Sequence, residues 1–142
     1  MDPRARWQDG TPVTARDAAL AINLARDPAV DAQSALLLRL VAEATATDDS
    51  HLVVRFTEPY DEQLYDAVYH VYPLPAHLVD TIPRGALAKS AFAAAPVGSG
   101  PYRWTRRLPK QQLELTAYDQ FFLGKPGPRR VLYLTVGDAE AR

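Results

Sequence analysis

The run Ala95-Pro96-Val97-Gly98-Ser99-Gly100-Pro101-Tyr102 constrains the chain more than any other. Pro96 and Pro101 fix φ near its two ends, while Gly98 and Gly100 between them permit φ > 0 or close backbone approach. The segment reads as a sharply turning loop of defined shape, too stiff for a linker. An alanine-rich, helical stretch precedes it and two alternating, strand-like runs follow, so it should deliver a helical layer onto a sheet. Its spacing matches neither glycine-rich phosphate fingerprint, and no Lys-Ser or Lys-Thr pair follows, which argues against phosphate binding.

A chain of 142 residues with 47% hydrophobic content is long enough for one core and is expected to form one domain. Its 16 basic and 17 acidic residues nearly cancel, so net charge gives no general attraction to nucleic acid or an anionic membrane. The absence of cysteine removes disulfides, thiolate metal sites and thiol catalysis, and leaves the compartment open. No apolar run approaches the roughly 20 residues of a spanning helix, and Met1-Asp2-Pro3-Arg4 does not read as a signal peptide.

The first informative run is Trp7 to Asp17. Asp9-Gly10 is turn chemistry, and Thr14 with Asp17 three residues on forms a capping box that starts a helix, with Val13 and Ala18 as its hydrophobic staple. Pro28 ends that helix near Arg26. Ala18, Ala21, Ile22 and Ala25 make its packed face, and Arg16, Asn23 and Asp27 make the other.

Alternation then predicts two antiparallel hairpins. In the first, Asp48-Asp49-Ser50 turns the chain, Thr47 faces His51, Thr45 faces Val53 and Glu43 faces Arg55 on the more polar face, with Leu40, Ala42, Ala44 and Ala46 alternating to the other. In the second, a four-residue loop at Arg107–Lys110 brings Tyr102 opposite Leu115 and Trp104 opposite Leu113. Val131 to Val136 is a last strand. Helical spacing covers Asp61 to Tyr69 and Ala86 to Ala94, and a short helix begins at Pro75.

The strip Tyr69-His70-Val71-Tyr72 is aromatic and extended, and is the best candidate for contact with a ligand; its plainer reading is a strand entering the core. His51 reads as a solvated strand-end residue. His70 and His77 lie seven apart with prolines between them, which is not the spacing of helical metal ligands, so no metal and no cofactor is expected. No nucleophile, base and stabiliser converge in any recognisable motif, so no enzyme is expected either.

Trp7-x-Asp9-Gly10-Thr11-Pro12-Val13-Thr14-Ala15-x-Asp17, Asp48-Asp49 before a Val-x-Phe strand and Glu58-Pro59, Pro75-Ala76-His77, Pro96 to Tyr102, Gly124-Lys125-Pro126 and a closing Asp138-x-x-Ala141-Arg142 occur in that order. Together they resemble the extracellular solute-binding proteins of the dipeptide, oligopeptide and nickel type, solute-binding protein family 5. The aromatic corner departs from the family's Asn-x-x-Tyr-Trp, reading Tyr118-Asp119-Gln120-Phe121-Phe122 instead.

The resemblance implies the capture component of an ABC importer, periplasmic or extracellular and membrane-associated, in which two lobes close on a peptide or related small solute and pass it to a membrane permease. Family members are several times longer, so residues 1–142 would be one partial domain of the first lobe. The implied fold class is α+β: antiparallel hairpins and a further strand packed with short helices. The position of Leu20 often presents an aromatic to the ligand in the family, which adds Leu20 to Tyr69, His70 and Tyr72 as ligand-wall candidates. Trp7, Asp9, Gly10, Thr14, Asp17, Pro96, Gly98, Gly100, Pro101 and Tyr102 take structural roles. A ligand-sensing domain of a transcription regulator is the alternative. Isolated from the rest of such a lobe, the chain would leave open strand edges that favour self-association.

Overall fold

The computed structural model describes residues 1–69 and 72–135. In chain order these form helix α1 (Ala15–Ala25), helix α2 (Ala32–Leu37), strands β1 (Val41–Ala46) and β2 (Leu52–Phe56), helix α3 (Gln63–Tyr69) and helix α4 (Ala76–Val79). A 3-10 turn at Arg84–Lys89, helix α5 (Ala91–Ala94) and strands β3 (Tyr102–Leu108), β4 (Gln112–Ala117) and β5 (Arg130–Leu134) complete them. The strands make a two-stranded sheet, β1-β2, and a three-stranded antiparallel sheet, β3-β4-β5. The α+β class is as expected.

The capping box at Thr14 and Asp17 starts α1, and Arg26 caps its other end. Ala19 and Ile22 of α1 pack with Leu38, Val41 and Ala44 into the larger core, which Leu52, Val54 and Phe56 of β2 close from the other strand. Asn23, expected on the solvent side, instead faces the sheet: its Nδ2 donates to the Ala44 carbonyl at 2.8 Å and its Oδ1 accepts the Ala44 N–H at 3.3 Å. One amide side chain thus occupies the outer edge of β1 as a neighbouring strand would. The carbonyl of Asp49 in the β1–β2 turn accepts the Ala15 N–H at 2.8 Å, so hairpin and helix fix each other's position.

The first hairpin has the expected register from Glu43↔Arg55 to Thr47, whose N–H reaches the His51 carbonyl at 3.0 Å. A bulge between Val41 and Glu43 was not foreseen. It adds one residue to β1 and reverses the alternation beyond it, so Val41 is buried while Ala42 is exposed. In the second hairpin Trp104 pairs with Leu115 and Tyr102 with Ala117, not with Leu113 and Leu115. A tighter turn is the reason: Leu108 pairs with Gln112 around Pro109-Lys110-Gln111, with Lys110 at φ 60, and a second bulge falls between Trp104 and Arg106. There the Thr105 and Thr116 hydroxyls meet at 2.6 Å.

Three further expectations are corrected. The predicted Ala86–Ala94 helix is divided at Ser90, whose hydroxyl donates to the Leu87 carbonyl at 2.7 Å and accepts the Ala93 N–H at 3.1 Å. Helix α2, capped by Asp31, lies in a stretch for which no element was expected. Gly98 and Gly100 do not have positive φ; among the described residues the glycines that do are Gly10 (φ 95) and Gly124 (φ 114).

Candidate functional site

The turn chemistry of the first segment is built around one carboxylate. Asp17 is 3% exposed, and its Oδ2 accepts the Trp7 indole N–H at 3.1 Å and the Thr14 N–H at 2.8 Å, while its Oδ1 accepts the Ala76 N–H at 2.8 Å. Its backbone carbonyl also takes the Leu74 N–H. The first loop, α1 and α4 are therefore joined at a single buried side chain with every oxygen satisfied. Trp7, 2% exposed, packs with Ala5 and Val13 in a second core completed by Val97 and Phe122.

Gln8 ties this knot to the proline-glycine loop. Its N–H donates to the Gly98 carbonyl at 2.9 Å, and its Nε2 donates to the carbonyls of Gly100 (3.0 Å) and Tyr102 (2.7 Å). Gln8 leaves no local spacing signal in the sequence, because its amide binds backbone carbonyls 92 and 94 residues away. Next to it, Asp9 Oδ2 meets His77 Nε2 at 2.7 Å and Asp9 Oδ1 accepts the Thr11 N–H at 2.9 Å. Burial pushes the Asp9 carboxyl up, but the His77 ring and the Thr11 amide outweigh it and hold it below its ordinary value. His77 thus belongs to the scaffold. His51 is likewise engaged, with Nδ1 2.8 Å from Asp48 Oδ2; the Ser50 amide, the Ser50 hydroxyl and this ring keep the Asp48 carboxyl far below the usual range.

The ligand-wall candidates do not form one constellation. Leu20, half-buried, lines an open depression of about 450 Å³ between α1 and β1, with Ala19, Ala44 and Ala46 as its apolar surface. Arg16 and Asp80, ion-paired to each other, and Asp48 and Asp49 form its rim. Tyr69 ends α3, 63% exposed and stacked on Tyr65 with ring centroids 4.6 Å apart. Tyr72 is 81% exposed. Neither tyrosine lines the Leu20 depression, and His70, like the closing Asp138 to Arg142, lies outside the described residues. No group of three His, Cys, Asp or Glu among the described residues is arranged to hold a metal ion.

The arrangement offers an open, apolar depression beside a docked scaffold. Comparison with known proteins bears on what kind. The profile of the bacterial extracellular solute-binding proteins, family 5 Middle, matches residues 2–142. The chain belongs to this family. It is 33% identical over 123 residues to an ABC transporter peptide-binding protein of Brucella ovis, a match covering 86% of this chain and 23% of that protein. The oligopeptide-binding protein AppA of Bacillus subtilis, solved with a nonapeptide, superposes with a TM-score of 0.89 at 22% identity, covering 96% of this chain and 27% of that one. MoaA of A. tumefaciens R10, solved with mannopinic acid, superposes at 0.84 with 26% identity, covering 100% and 28%. The chain therefore spans about a quarter of the length of these relatives, and its fold is a portion of their two-lobed architecture.

Proposed function

We propose that this chain supplies one wall of the capture component of an ABC importer for peptides or a related small solute, within the first lobe of the two-lobed fold. Membership of family 5 over residues 2–142 carries the reading. It is supported by the depression between α1 and β1, where Leu20 and the alanines give an apolar surface beside the ion-paired Arg16 and Asp80. Tyr69, His70 and Tyr72 would add aromatic contacts when the second lobe closes on the solute and excludes water. The chain performs no chemistry; it binds, and the solute passes to a membrane permease. The bound molecules in the solved relatives, a nonapeptide in one and mannopinic acid in another, leave the solute class at peptide or similar small molecule.

Backbone amide shifts recorded by NMR while a tetrapeptide is added test this reading. Movement concentrated at Leu20 and Ala44–Ala46, and abolished by Leu20→Arg, is expected. Shifts confined to the Gln8 loop or to the three-stranded sheet would contradict it.

A further inference from the structure

A net charge of -1 conceals a strong segregation along the chain. Residues 1–69 carry six Lys or Arg against twelve Asp or Glu, whereas residues 102–135, which form the three-stranded sheet, carry seven against two. The seven cations of the sheet are not equivalent. Arg130 pairs with Glu114 at 2.8 Å, and Lys125 and Arg129 both pair with Asp119. Arg103 lies 4.2 Å over the Tyr118 ring and donates to the Gln8 carbonyl. Arg106 stands across the ladder from Glu114, but that carboxylate is bonded to Arg130. Arg106, Arg107 and Lys110 remain: all three are exposed, none has an ion-pair partner among the described residues, and all fall within five residues at the tip of the β3–β4 hairpin.

We infer that this hairpin tip is a docking surface for anionic lipid headgroups. Three observations favour a membrane surface over a protein pocket or a free anion. The tip is convex: Pro109-Lys110-Gln111 is the apex of a three-residue turn, and five surface depressions among the described residues are lined by none of Arg106, Arg107 and Lys110. Arg106 and Arg107, as successive strand residues, point to opposite faces and flank the apex, so an end-on approach to a plane engages both together with Lys110. Exposed apolar side chains lie beside them, since β5 runs along β4 so that Leu134 pairs with Gln112 and Tyr133 with Leu113, at 64% and 59% exposure. Basic groups beside an exposed aromatic and leucine suit the boundary between headgroups and acyl chains. The acidic half of the molecule is then held away from the bilayer by the same field that attracts the tip.

Co-sedimentation of the chain with vesicles of phosphatidylcholine alone, and with phosphatidylglycerol added to half the lipid, tests the inference at low ionic strength. Binding to the anionic vesicles only is expected, falling about fivefold for each cation removed in Arg106→Gln, Arg107→Gln and Lys110→Gln, and weakening with added sodium chloride. The control R39E/K89E reverses exposed cations outside the β3–β4 hairpin and should bind as the parent does. Thermal melts confirm that each variant is folded before it is scored. Equal binding to neutral vesicles, equal loss in R39E/K89E, retention of binding in the triple tip variant, or displacement by inorganic phosphate beyond that of chloride at matched ionic strength would overturn it.

Discussion

At the scale of single residues, Asp17 bears the largest structural burden. Removing its carboxylate in Asp17→Ala strands three donors that its burial denies to water, the Trp7 indole and the Thr14 and Ala76 amides. A loss of about 3 kcal/mol is expected, against about 1 kcal/mol for Thr14→Ala, which removes a cap alone. Urea denaturation of both variants checks the ratio; equal small losses would mean the knot is not a unit. The glycines separate in the same way. Gly10 sits at φ 95, so Gly10→Ala should cost about 1–2 kcal/mol in left-handed strain. At Gly100 a Cβ would meet nothing within 4 Å, so Gly100→Ala should be neutral within about 0.5 kcal/mol. The Thr14–Asp17 box was legible because it is local. The partners of Asp17 were not, because Trp7 lies 10 residues away and Ala76 lies 59 away.

At the scale of elements, periodicity located all five described strands and failed where one residue is inserted. The first hairpin read correctly through Glu43 because a three-residue loop and strict alternation agree there; the bulge at Ala42 changes which side chains are buried without changing composition. The second hairpin shifted because a turn can close through Lys110 in a left-handed conformation, a choice that alternation alone does not reveal. Helix α3 read correctly from Leu64 and Val68, yet both are exposed, at 77% and 65%, so the apolar stripe marked the helix and not a core. Asn23 offers a test at this scale. Asn23→Ala should cost about 1–2 kcal/mol by freeing the Ala44 N–H and C=O at the edge of β1, and hydrogen exchange should accelerate at Ala44 more than at the β2 amides. Unchanged protection at Ala44 would show that the amide is incidental.

At the scale of the whole molecule, the scaffold rests on carboxylates that must stay ionised. Arg4 holds the Asp2 carboxyl at about 2, and the groups around Asp9, Asp27, Asp31, Asp48 and Asp119 also leave their carboxyls below the ordinary value. A carboxyl with a depressed folded-state pKa binds more protons when unfolded. Its contribution is therefore present above about pH 4 and is lost as pH falls through the lower folded value. The melting temperature should be flat near neutrality and drop from about pH 4 toward pH 2, with Asp9→Asn reducing that dependence. Insensitivity to pH over this range would contradict the ion-pair geometry.

The family could be read from ordered motifs that are structural, whereas apolar contacts such as those around Leu20 carry no spacing signature of their own. Under the proposed function the chain is one wall of a two-walled receptor. A single wall leaves most of a peptide in water while association still costs rigid-body entropy. Calorimetric titration with di- to pentapeptides, with sedimentation on the same sample, tests it most directly. Dissociation constants no tighter than about 1 mM are expected, roughly -4 kcal/mol, together with self-association through exposed apolar residues such as Leu64, Val68 and Leu123. Micromolar binding by a monodisperse monomer would contradict it.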